Sequence, residues 1–378
     1  MRSKYIAIPM SLCVTAALSL GLPARALAAS PEFARTQEEW ARLRDNVLEY
    51  EEIEDLVHEY NTTVLNNEQQ YRRDGKKTSE DMVDDLMRQA DDFWEAAGEA
   101  EDDMNAILNE INARQAESNA ENNVDDSTTR YIQYAQTEKN VVVQAQTAMN
   151  TYYKLQYQLE SLKKNRELLE MVLTSTQGRQ GQGLATAAEV LTAQQNLQSA
   201  DAQIISMENQ IESTRQNLII MLGWAQGARP EICPMPEADV ERIGSMNIEE
   251  DTKKALEADY TLRLHQQNLE NSTNDENRRI YSQYVEDDKQ QIAMAVSDSY
   301  QKVIQARNSL DEAVTSLEVA EKAWNTANTK FQLGVVSRLE HLQAETAAVT
   351  ARQDLEVKKL ELFQAMETYD WVIKGVRS

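Results

Sequence analysis

The sequence predicts an all-α protein of long antiparallel coiled-coil helices, arranged as two tandem hairpin repeats. Three observations carry that prediction. The chain copies itself: Gly183 opens GLATAAEVLTA and Gly334 opens GVVSRLEHLQA, at an offset of 151 residues. At that offset Thr186 meets Ser337, Glu189 meets Glu340, Leu191 meets Leu342, Ala193 meets Ala344 and Ala200 meets Ala351, and such repetition decides the architecture before any single residue can be read. Apolar residues recur with a seven-residue period on both sides of each glycine. Proline is absent between Pro31 and Pro230 and again after Pro236, which leaves room for helices of unusual length.

The heptads are an independent check on the offset. Ahead of the second bend, Ala306, Leu310, Ala313, Leu317, Ala320, Trp324, Ala327 and Phe331 alternate steps of four and three, the spacing of an a/d seam. Ahead of the first, Ala148, Tyr152, Leu155, Leu159, Leu162, Leu169 and Leu173 keep the same rhythm, interrupted at Arg166. Beyond the bends, Val190, Leu197, Ile204, Ile211 and Leu218, and then Ala348, Leu355, Leu362 and Tyr369, recur every seven residues. A period of seven sustained this long implies left-handed supercoiling.

Breakers divide the chain in order. Residues 1–28 read as an export signal: Arg2 and Lys4 precede an apolar run from Met10 to Leu22, and Ala26-Leu27-Ala28 supplies small residues for cleavage, so the mature chain is expected to begin near Ala29. An uncleaved anchor is the rival reading, although the run is short for a bilayer. Residues 29–223 form the first repeat with extra N-terminal helices, one from Gln37 to Arg72 and a second from Thr78, a capping residue with Asp81 three positions on, to the polar cluster NNVDDST. A long helix from Thr129 to Thr176, the bend with Gly178, Gly181 and Gly183, and a return helix to Leu222 complete it. Residues 224–246, with Gly227, Pro230, Pro234, Pro236 and Gly244, are the linker. Residues 247–378 repeat the plan: a helix from Ile248 to Asn271, a polar break STNDEN, a helix to Gln332, the bend at Gly334, and a last helix to Ile373. Asp275 to Gln332 contains neither glycine nor proline, so that helix should span ~85 Å.

Charge narrows the function. The formal net charge is −25, and nucleic acid and anionic lipid are poor partners for such a surface. The acidic run from Glu80 to Asp103 lacks the glycine and the ligand spacing of a calcium loop and reads as a solvated helix face. Cys233 is the sole cysteine beyond the signal, so no internal disulfide is expected. His58, His265 and His341 lie far apart; Glu54 and His58 share a helix face but two ligands make no metal site. Tyr152, Tyr153 and Tyr157 read as packing on a coiled-coil face. With no nucleophile elbow, phosphate loop or paired cysteines, neither an enzyme nor a cofactor is expected.

The segment from Phe331 through Gly334, Ser337 and Glu340, with Leu342, Ala344 and Ala351 behind it and Gly375 closing the helix, resembles the second repeat of the TolC family of outer-membrane efflux proteins. The Gly183 copy, closing at Gly223, resembles the first. The likeness covers nearly all of 130–223 and 248–375. It implies a TolC-like α-barrel protomer, a homotrimer enclosing a helical tunnel, and bends at a tip that meets a membrane-fusion adaptor protein and, through it, an inner-membrane pump. The departure is equally clear, because family members insert two β-strands in each half to build a membrane barrel. A barrel strand needs about 9–11 alternating residues, and at 122–127 and 272–277 this chain has only short polar turns. The expectation is a tunnel without its pore, located in the cell envelope and standing on the extracytoplasmic face of a single membrane.

The tips are specified locally. Glycine permits the reversal, and Thr186 and Ser337 cap the following helices with Glu189 and Glu340 completing capping boxes. Leu184 and Val335 are then apolar side chains at the extreme end, suited to a partner helix or merely stapling the turn. The partner-binding set is therefore Gly183, Leu184, Thr186, Gly334, Val335 and Ser337. The alternative function is an exported structural or adhesive coiled coil that has lost transport.

Overall fold

A computed structural model describes residues 30–74 and 77–377; the expected signal over 1–28 lies outside the described residues. Among these the chain is all-α apart from one two-residue strand pair. The helices are α1 (Gln37–Leu43), α2 (Ile53–Tyr60), α3 (Thr62–Asp74), α4 (Ser79–Gly98), α5 (Asp103–Glu121), α6 (Ser127–Gly181), α7 (Ala187–Met221), α8 (Ile248–Ala258), α9 (Tyr260–Asn271), α10 (Asp275–Gln332) and α11 (Arg338–Ile373). Helices α6 and α10 contain 55 and 58 residues, a length of ~80–90 Å at ~1.5 Å per residue. Both polar breaks are turns, and the described residues hold no barrel strand.

Helices α6 with α7 and α10 with α11 form the two hairpins, and α6 packs on α11. The order across the molecule is α7–α6–α11–α10, a layer of four with α7 and α10 at its edges. Register between the hairpins is held by buried polar groups. The Asn150 side-chain amide donates to the Leu360 carbonyl at 2.9 Å and the Trp371 indole donates to Gln146 at 2.7 Å. Lys164 pairs with Glu345 across the same seam. Sliding the hairpins would strand a buried amide, at a cost of about 1–3 kcal/mol.

Three expected helices are interrupted. The helix from Gln37 to Arg72 is instead α1, α2 and α3. Between α1 and α2, strand β1 (Val47–Leu48) pairs in parallel with β2 (Glu231–Ile232) of the linker, diverting the chain. Between α2 and α3, Asn61 turns extended; its Oδ1 accepts from the Thr63 and Val64 amides and its Nδ2 donates to the Met221 carbonyl. Asp259 breaks the helix from Ile248 to Asn271 likewise, accepting from the Leu262 amide while Arg377 pairs with it. The third interruption splits the helix beginning after Thr78 into α4 and α5, where Asp102 caps α5 by accepting from the Asn105 amide.

These breaks extend the duplication to the short helices. Gly223 and Gly375 each close a hairpin with positive φ, and each lies against a break: a Cβ on Gly223 would sit 2.3 Å from Tyr60 Cβ, and one on Gly375 2.2 Å from the Ala258 carbonyl oxygen. Close backbone approach, as well as φ, demands glycine there. One apolar core joins α1, α2, α6 and α7 around Leu56, Val142, Met149 and Leu218, and another joins α8–α11 around Leu262, Ile292, Leu362 and Tyr369. Both lie away from the bends. Asn271, Asn274 and Asn277 then zip the second polar break onto the carbonyls of Val124, Glu121 and Asn122 in the first.

Candidate functional site

The two bends are built alike, atom for atom. Each long helix ends in a Schellman motif: Gly183 N donates to Gln180 O at 2.9 Å and Leu184 N to Arg179 O at 2.8 Å, while Gly334 N donates to Phe331 O at 2.9 Å and Val335 N to Lys330 O at 2.8 Å. The glycines take φ of 74° and 72°. The return helices start with full capping boxes. Thr186 Oγ1 and Ser337 Oγ each accept from the amide of the glutamate three residues on, at 3.2 Å. Glu189 and Glu340 reach back to the capping amides at 2.6 and 2.8 Å. Those backbone hydrogen bonds hold both carboxyls below the usual glutamate range.

Leu184 and Val335 take part in this bonding through backbone atoms alone. Leu184 and Val335 are 64% and 69% exposed. Leu333, not singled out from the sequence, is exposed to the same extent, and Phe331 stacks on His341 beside it with ring centroids 4.7 Å apart. The signal was available: the residue matching Leu333 in the first repeat is Gln182, and the one matching Phe331 is Gln180. The second tip is thus the more apolar. All six expected residues lie at the two helix turns, three at each.

Other expected features are placed elsewhere. Glu54 and His58 do not pair with one another; each reaches α6, Glu54 to Lys139 and His58 to Glu138. Tyr153 donates to the Ile232 carbonyl at 2.7 Å and packs against Tyr152. Arg166, the interruption in the first heptad seam, bonds Asp201 and Glu170. Among the described residues no group of His, Cys, Asp or Glu could hold a metal, and no helix is long and apolar enough to cross a membrane.

The distribution of exposed apolar side chains completes the geometry. Along the four long helices they fall almost wholly on the edges: Leu191, Ile205 and Ile220 on α7, and Tyr284, Met294, Val314, Val319 and Phe331 on α10, against Tyr131 alone on α6 and none on α11. A duplicated layer of long helices with apolar edges and paired helix-turn tips makes up a TolC-like helical fold. The same fold occurs in the Campylobacter jejuni CmeC outer membrane channel, with a TM-score of 0.51 at 12% identity, covering 100% of this chain and 95% of that one. It also occurs in a membrane protein from Pseudomonas aeruginosa, with a TM-score of 0.51 at 11% identity over 84% and 93% of the two chains. No family model matches the sequence, and no curated protein matches it.

Proposed function

We propose that this chain is the tunnel-forming component of an efflux assembly, in which copies close edge to edge around a bore and present their tips to an adaptor protein. The observation that carries the reading is the open layer with apolar edges. Large exposed apolar surfaces on a long helix mark contacts with further helices, and placing them on α7 and α10 fits the α7 edge of one copy against the α10 edge of the next. The trimer comes from the TolC-like resemblance, as do the adaptor and the pump behind it. The fold shared with an outer membrane channel supports a place in the cell envelope. Because no barrel strand occurs among the described residues, the reading places the tunnel beside a membrane, on its extracytoplasmic face.

Chemistry at the tips supports docking. Leu184 on one tip and Leu333 and Val335 on the other would meet apolar side chains of a partner, while Glu189 and Glu340 remain engaged in their caps. The test is the mass and shape of the exported protein together with capture by a membrane-fusion adaptor protein, which a conduit is expected to have encoded beside it. A hollow three-copy particle that loses adaptor binding on Val335→Asp and Leu184→Asp substitution is the expected result. A solitary solid bundle indifferent to those changes would overturn the reading in favour of an exported structural coiled coil.

A further inference from the structure

Helices α4 and α5 lie immediately ahead of the first polar break and form a helical hairpin that packs chiefly on itself. Its root is fixed: Ser127 N donates to Lys77 O at 3.1 Å and the Asn123 side chain donates to Ser79 Oγ. Ala113, Ala116 and Ala120 of α5 are buried against α4 with Ala90 and Met82. The opposite face of α5 is apolar as well. Met104, Ile107, Leu108 and Ile111 are 70%, 53%, 50% and 56% exposed, and their spacing of three, four and seven makes one stripe along two helical turns.

Charge decides what can cover that stripe. Residues 79–121 hold 14 acidic and 2 basic side chains, a balance of −12 within a chain of −25. Asp103 and Glu110 flank the stripe, Glu110 at 4.0 Å from Arg114, the one basic residue of α5, and Glu117 beside them accepts from the Trp94 indole at 2.8 Å. A second copy would bring the same charge against itself, and an anionic lipid surface or a nucleic acid would be repelled within a Debye length of ~8–10 Å. A helix with an apolar face and basic flanks satisfies both the stripe and its surroundings.

We propose that the outer face of α5 docks a basic amphipathic helix of another polypeptide. The site lies at the opposite end of the rod from the bends and is independent of whether the rod conducts anything. The experiment titrates a labelled synthetic leucine–lysine peptide, designed as an amphipathic helix, into the full mature chain. A scrambled peptide of equal composition is the control. Ile107→Ser with Ile111→Ser should weaken binding at least about tenfold, because that pair removes most of the apolar contact. Phe33→Ser with Val240→Ser, exposed apolar residues outside α5 and outside the α7 and α10 edges, should leave it unchanged. The scrambled peptide should bind about tenfold more weakly, and salt raised from about 0.05 M to about 0.5 M should weaken the helix peptide to a similar degree. Equal binding by the Ile107/Ile111 variant, or no binding at about 0.1 mM peptide, overturns the assignment. A particle mass that falls in that variant would mean the stripe meets a second copy, and cosedimentation with phosphatidylglycerol vesicles that the variant loses would mean a lipid surface; either overturns it too.

Discussion

At the scale of single residues, the four glycines with positive φ that close long helices serve two purposes, and substitution separates them. Gly183 and Gly334 have nothing within 4 Å of a hypothetical Cβ, so alanine there meets only the left-handed backbone penalty of ~1–2 kcal/mol. Gly375 would add an overlap with the Ala258 backbone at 2.2 Å. Gly375→Ala should therefore lower the denaturant midpoint well beyond Gly334→Ala, and equal midpoints would refute the close-approach account. The caps make a second expectation. Thr186→Ala and Ser337→Ala each remove an acceptor for a first-turn amide, at a cost of ~1 kcal/mol, which should appear as faster hydrogen exchange confined to the first turns of α7 and α11. Glu189 and Glu340 titrate below their ordinary range, so their share of the capping is present above the unfolded carboxyl value of about 4.5 and fades as pH falls through the folded one.

At the scale of elements, α2 is tied to α6 through His58 and Glu138, 3.2 Å apart. The hydrogen bond that the imidazole donates to the Glu138 carboxylate holds it above its ordinary value, against the opposing effect of burial. A raised value means that this contribution is complete below about pH 6.5 and is lost as pH rises through the folded value. Amides of α2 should exchange faster at about pH 8.5 than at about pH 6 beyond the intrinsic base-catalysed increase, and His58→Gln should abolish that excess. Long elements were legible because their limits are chemical: Asp275–Gln332 and the last helix to Ile373 end at the glycines and caps that the sequence displays. Breaks at Asn61 and Asp259 were not, since each uses a side chain common in exposed helices and is enforced by a distant glycine, 223 or 375, arriving against it. The β1–β2 pairing joins residues more than 180 apart over two positions and leaves no periodic trace. At the tips, Thr186 and Ser337 could be read from capping chemistry, whereas Leu333 needed the comparison with Gln182.

At the scale of the whole molecule, an open layer must be completed by something. On the proposed closure through the α7 and α10 edges, Ile205→Lys on α7 and Val319→Lys on α10 should each shift the particle mass toward the single chain while leaving helicity unchanged, because both are more than half exposed in one copy. Retention of full mass in both variants would rule out closure through these edges. The two halves also differ at one point, where the first carries α4 and α5 and the second only the turn over Ser272 to Asn274. Any ring of whole copies would then bear twice as many bends at one pole as blades at the other. Ligands saturating the two poles should consequently titrate at two to one, and the blade pole should keep the lower rotational order however closely the bend pole approaches the higher.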